Sequence, residues 1–95
     1  RKAAVPAPSK VSCKMSNGGT EVSWTKVAGA SGYVIYRNGS AVKTVKSSVL
    51  TWKDTKAYDS QTGMYWVYNY YVKAFKTVNG KRIYSKPTKT INLYS

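Results

Sequence analysis

Apolar and polar residues alternate with a period of two along most of this chain, and turn signals separate the alternating runs. Val11, Cys13 and Met15 alternate with Ser12 and Lys14, which predicts a first strand over 11–15. Asn17, Gly18 and Gly19 follow as a hairpin turn, because Asn and Gly tolerate positive φ. Val22 and Trp24 against Ser23 and Thr25 predict a second strand over 21–25. Small residues at 27–32 form a loop before a third strand over 33–37, closed by Asn38 and Gly39. A short fourth strand runs over 41–45, and a fifth over 50–53 puts Leu50 and Trp52 on one face. Asp54 ends that strand as a turn cap.

The longest alternation runs over 65–75, after a loop at 55–64. Tyr68, Tyr70, Val72 and Ala74 share one parity, and Asn69, Tyr71, Lys73 and Phe75 share the other. Asn79-Gly80 is the next hairpin turn. The last strand begins near Arg82, breaks at Pro87 and resumes over 90–93; a proline inside such a run implies an edge or a bulge. No window repeats apolar residues at helical spacing over three turns with caps. The pattern predicts an all-β domain, a seven-stranded Greek-key β-sandwich of immunoglobulin-like design. Trp24 on the second strand then faces the Tyr-rich sixth. Parity sends Tyr33 and Ile35 inward beside Trp24 and leaves Val34 and Tyr36 facing out.

Length supports this and little more, since 95 residues make one domain and not two good cores. Residues 1–8, with Pro6 and Pro8, read as a stiff linker at the edge of a longer polypeptide, and 9–95 as the domain. Composition is 42% hydrophobic and 14% aromatic, which is globular and not disordered. The nine Tyr and three Trp carry polar tips on large apolar bodies, suited to a thin sandwich or a binding face. Charge changes the picture most. Sixteen Lys and Arg stand against Glu21, Asp54 and Asp59, a net +13 that attracts polyanions. The same lysines also blunt edge strands and keep a β domain soluble.

Several short runs together resemble a fibronectin type III module of bacterial secreted or cell-surface proteins. They are Val22-Ser23-Trp24, then residues 27–37 (VAGASGYVIYR), Thr51-Trp52-Lys53-Asp54-Thr55, residues 68–74 (YNYYVKA) and residues 79–85 (NGKRIYS). The resemblance spans roughly residues 8–93. It implies fibronectin type III topology, with Trp24 and Tyr33 packed between the sheets and Tyr68 making a tyrosine corner, Tyr65 and Tyr70 being its competitors. Residues 57–67 form a longer and more aromatic loop than such modules carry. The expected core is Trp24, Tyr33, Ile35, Trp52, Tyr68, Tyr70 and Val72.

Catalytic chemistry is poorly provided for. The chain has no His, three carboxylates and one Cys, which offers few groups to move protons or form covalent intermediates. Cys13 reads as a small hydrophobe, no zinc set exists, and one carboxylate makes a weak calcium site, so no cofactor or metal is expected. A binding surface is the serious alternative. Tyr36, Tyr71, Lys73 and Phe75 fall on one outer face, where aromatics stack on sugars and Lys meets acidic groups; ordinary cross-strand pairing explains the same aromatics. Tyr58, Met64, Tyr65 and Trp66 form a second apolar cluster, expected to cover one end of the sandwich. Lys73, Lys76, Lys81, Arg82, Lys86 and Lys89 crowd the last third, yet their spacing fits no nucleic-acid motif.

The sequence therefore points to a non-catalytic spacer or accessory module, extracellular, without a membrane span and monomeric alone. Its partners are then the neighbouring domains of its polypeptide. The alternative is a module that binds carbohydrate or an anionic cell-wall polymer.

Overall fold

The computed structural model describes residues 5–94. They form nine strands: β1 (Val11–Ser16), β2 (Gly19–Trp24), β3 (Gly32–Arg37), β4 (Ser40–Lys46), β5 (Thr51–Asp54), β6 (Tyr58–Asp59), β7 (Met64–Tyr65), β8 (Tyr70–Val78) and β9 (Lys81–Tyr84). One 3-10 turn, Thr55–Ala57, follows β5. All pairing within the sheets is antiparallel. One sheet has the order β1-β2-β5, a second β4-β3-β8-β9, and β6 and β7 make a small separate hairpin.

Turn chemistry sets the registers. Asn38 and Gly39 have φ of 51° and 85°, and Asn79 and Gly80 of 53° and 79°. Two successive positive φ values suit the right-handed twist of a two-residue hairpin, and Asn-Gly adopts them at least cost. Each sheet turns one face to a shared core. Val11, Val22 and Trp24 from the first sheet meet Tyr33, Ile35, Tyr70, Val72 and Ala74 from the second, with Val27 and Ile91 from the connecting segments. The Trp24 and Tyr33 rings lie 5.7 Å apart at 55°. The Tyr33 hydroxyl accepts a hydrogen bond from the Val27 backbone N–H at 2.8 Å, which gives its buried polar tip a partner.

The ends of the chain depart from the predicted elements in instructive ways. The long alternation at 65–75 is not one strand. Its first part belongs to the β6–β7 hairpin and the segment after it, and β8 begins only at Tyr70 and extends to Val78. Beyond β9, Pro87 ends regular pairing, but the neighbours of β8 are supplied by side chains. Ser85 Oγ accepts from the Ala74 N–H at 2.9 Å and Thr88 Oγ1 from the Val72 N–H at 3.0 Å. The backbone N–H groups of Ser85 and Thr88 return bonds to the Ala74 and Val72 carbonyls at 2.8 and 2.9 Å. Ile91 then bridges Tyr70. Two hydroxyls thus carry the edge of β8 across the proline, where unpaired buried N–H groups would each cost about 1–3 kcal/mol.

At the other terminus, residues 1–4 of the expected linker lie outside the described residues. Of the remainder, Val5 packs against the core and Pro8 is buried.

Candidate functional site

The outer face of the four-stranded sheet carries the residues singled out for binding. Register places Tyr36 opposite Tyr71, Val34 opposite Lys73, and Gly32 opposite Phe75. All four candidates therefore share one face. Tyr36 and Tyr71 stack with ring centroids 4.8 Å apart and planes 12° apart, both half-buried. Lys73 Nζ sits 5.1 Å from the Tyr36 centroid. At the far end of the face, the Arg82 guanidinium lies 4.4 Å over the Phe75 ring, and Tyr84 tilts against Phe75 at 5.8 Å.

Two positions differ from the parity expectation. Val34 and Phe75 do face away from the core, yet they are 3% and 6% exposed. Phe75 is covered from neighbouring strands: Gly32, opposite it, leaves room for the ring, and Arg82 and Tyr84 lie upon it. Phe75 consequently offers no free ring face to a ligand. Sequence alternation reports which face a side chain takes, and not what lies over it.

The hydroxyls divide by face in the same way. Inward Tyr33 and Tyr70 spend theirs on protein partners. Among the described residues, the hydroxyls of Tyr36, Tyr71 and Tyr84 make no hydrogen bond to the protein, although Tyr36 and Tyr71 engage ring surface with each other.

A second constellation, which the sequence reading treated as a simple cap, lies where β2, β3, β5 and β8 converge. Asp54 is 1% exposed. Its carboxylate accepts from Arg37 Nη1 at 3.0 Å (Oδ1) and 2.9 Å (Oδ2), from the Lys56 backbone N–H at 3.1 Å, and from the Tyr70 hydroxyl at 2.7 Å. The capping role is present, at the start of the 3-10 turn. The Arg37 guanidinium also lies 5.2 Å over the Tyr68 ring, and Tyr68 meets Tyr70 edge-on at 6.4 Å.

Tyr68 itself is half-buried and its hydroxyl has no protein partner among the described residues, so the corner bond expected of it is absent. Tyr65 instead donates to the Ser16 carbonyl at 2.6 Å. Trp52, the remaining expected core residue, packs half-buried against the core opposite Val22.

Burial, together with the hydrogen bond to Asp54 and its charge, pushes the Tyr70 phenol far above its ordinary range. Folded protein then holds this proton where the unfolded chain releases it, so stability is intact below about pH 10 and falls as pH rises beyond that. Urea unfolding of the wild type and of Tyr70→Phe should show a steeper alkaline loss for the wild type. Equal alkaline slopes would remove Tyr70 as its source.

The other candidate groups are placed less productively. Cys13 is half-buried against the core, and burial pushes its thiol up, away from nucleophilic use. Asp59 caps its own loop by accepting from the Gln61 N–H at 2.9 Å. Among the described residues no three His, Cys, Asp or Glu side chains gather as a metal set. The aromatic loop does not cover the sandwich end as expected. Met64 and Trp66 are 66% and 55% exposed, while Tyr58 and Tyr65 pair at 4.9 Å within their own hairpin. Ala57 is the residue of this segment that is fully buried. A groove of about 680 Å³ lies between residues 8–12, residues 23–25 and the Thr88-Lys89 segment; Pro8, Val11 and Trp24 line it together with serine and threonine hydroxyls and two lysines, and no carboxylate or thiol does. No described helix is long and apolar enough to cross a membrane. No family model matches the chain, and no curated protein matches it.

Proposed function

We propose that this chain is a non-catalytic, fibronectin type III-like module that spaces and orients neighbouring domains of a secreted or surface-anchored protein. The observation that carries the reading is the direction of the chain through the fold. Ser9 and Lys10 are held beside Thr25, next to the Trp24 end of β2. Ile91 pairs with Tyr70, which pairs with Arg37, and Arg37 binds Asp54 opposite Thr20 at the other end of β2. The two ends of the described chain therefore leave from opposite ends of the domain, the geometry a spacer needs.

Strand order supports the same reading. With the β6–β7 hairpin set apart, seven strands divide into three and four around one core, and β3 pairs with β8 across a long stretch of chain, as in a Greek key. Asp54 is tied up in an ion pair, Cys13 in packing and Asp59 in its own loop, and Glu21 pairs with Lys14 at 3.6 Å; the commitment of these groups to structural contacts supports a non-catalytic role.

A second reading is favoured by the aromatic and cationic outer face, which suits binding of carbohydrate or an anionic cell-wall polymer. The two readings separate in one experiment on a parent protein containing the module. Changing Tyr36, Tyr71 and Lys73 together to Ala should leave the parent's activity on insoluble substrate unchanged if the module only spaces. Loss of substrate retention in that variant, with the fold intact by circular dichroism, would displace the spacer reading in favour of binding.

A further inference from the structure

The four strands of the larger sheet contain seven cations and no carboxylate. The cations are Arg37 on β3, Lys43 and Lys46 on β4, Lys73 and Lys76 on β8, and Lys81 and Arg82 on β9. Arg37 is committed to Asp54. Register sets Lys46 beside Gly32, Lys73 beside Val34 and Arg82 beside Thr77, all on the outer face with Tyr36, Tyr71 and Tyr84. Glu21 lies on the other sheet, and Asp59 in the β6–β7 hairpin. This face is thus a field of positive charge with three phenol hydroxyls that lack protein partners among the described residues.

The cations do more than surround the rings. Lys73 and Arg82 are seated on Tyr36 and Phe75, and Tyr36 is also stacked on Tyr71. A neutral sugar or a nucleobase that binds by stacking needs an open ring face. Here much of that ring surface is engaged, and what the surface presents is ammonium, guanidinium and phenol O–H. Ring contact also restrains the two long cationic side chains, which lowers the entropy lost on binding.

Resting on the binding reading above, we infer that the outer face of the β4-β3-β8-β9 sheet is a site for a linear acidic polysaccharide, whose carboxylates meet Lys46, Lys73 and Arg82 and whose hydroxyls meet Tyr36, Tyr71 and Tyr84. Ring engagement and the unpartnered phenol hydroxyls favour this over nucleic acid. A nucleic-acid strand would be left to bind here through its phosphates alone, because its bases need open ring faces on which to stack. A chain of acidic sugars supplies carboxylates to the cations and hydroxyls to the three phenols.

The test is affinity electrophoresis of the 95-residue chain in gels containing polygalacturonate, dextran or an oligothymidylate, at two salt concentrations. Polygalacturonate should retard it, less so at higher salt, and dextran should not. Lys73→Gln with Arg82→Gln should weaken polygalacturonate binding about tenfold or more, as loss of two charge-assisted contacts implies. Lys26→Gln with Lys56→Gln removes the same charge from exposed positions outside this sheet, and should weaken it less than about twofold. Tyr36→Phe with Tyr71→Phe, which removes only hydroxyls, should weaken polygalacturonate binding severalfold.

Equal losses from the two charge-removing pairs would reduce the binding to net charge and overturn the site. Tighter oligothymidylate binding would overturn the choice of ligand. Retention by dextran that Tyr71→Ala abolishes and salt leaves alone would overturn the acidic class while keeping a carbohydrate-binding face. Absence of any retardation would remove both the site and the binding reading.

Discussion

Replacing Arg37 with Met is expected to destabilise the fold by about 3 kcal/mol, because it strands a buried carboxylate. Asp54 is 1% exposed and its charge faces one guanidinium. Met keeps much of the apolar stem of Arg but no donor. The Tyr70 hydroxyl and the Lys56 N–H remain, yet two neutral donors do not balance a full charge out of water. The value sits at the low end for buried pairs because the Arg37 side chain is 22% exposed. In a domain of this size a loss of about 3 kcal/mol lowers Tm by roughly 12–24 °C.

A packing explanation competes, since Arg37 also covers the Tyr68 ring. A double-mutant cycle separates them. Asp54→Asn removes the charge, keeps one carbonyl acceptor for the Lys56 N–H and turns an NH2 toward the Tyr70 hydroxyl oxygen, which can accept from it. Arg37→Met in that background should therefore cost less than about 1 kcal/mol. An undiminished cost there would assign the effect to Tyr68 and refute the electrostatic account.

The legibility of the chain follows the same division between local and distant causes. Alternation and Asn-Gly turns are local, and β1 to β4 appear within a few residues of where they predict strands. Trp24, Tyr33, Ile35, Tyr70 and Val72 were readable as inward for the same reason: one face of a strand must be apolar when a second sheet covers it. The Asp54–Arg37–Tyr70 cluster was not readable. Its members stand 17 and 16 residues apart in sequence, and nothing local distinguishes Arg37 from the other cations of the chain.

The strand expected from residue 65 begins only at Tyr70 because Tyr65 and Trp66 alternate like the strand that follows while their partners lie in the loop itself: Tyr65 pairs with Tyr58, and the Trp66 N–H bonds the Ala57 carbonyl. Alternation alone cannot say which strand is the partner. On the outer face, the aromatic and cationic residue types were legible by parity. Their mutual contacts were not, since Arg82 reaches Phe75 and Lys73 reaches Tyr36 from different strands.

Gly32 links that outer face to the core, and Gly32→Ala is expected to cost about 1–3 kcal/mol, at the upper end of that range. Its backbone is ordinary for a strand and requires no glycine; the constraint is space. A Cβ at this position would run into the Val45 carbonyl oxygen of β4 and lie 2.8 Å from Phe75 Cζ. The ring can shift, but the carbonyl belongs to the β3–β4 pairing and moves only with the sheet. Displacing Phe75 would also lift Arg82 and Tyr84 from their contacts with it, so the substitution should disturb one end of the proposed polysaccharide face as well as stability.

Gly29, three residues earlier in the same small-residue loop, makes the control. Its φ is +80° and a Cβ there meets nothing within 4 Å, so Gly29→Ala suffers backbone strain alone, about 1 kcal/mol. Chemical denaturation of both variants, with polygalacturonate retardation measured alongside, distinguishes the two causes. Gly32→Ala should lose stability and perturb binding, and Gly29→Ala should lose less stability and bind as the wild type does. If Gly32→Ala left stability unchanged, the close approach of β3 to Val45 and Phe75 would not be what holds glycine at this position.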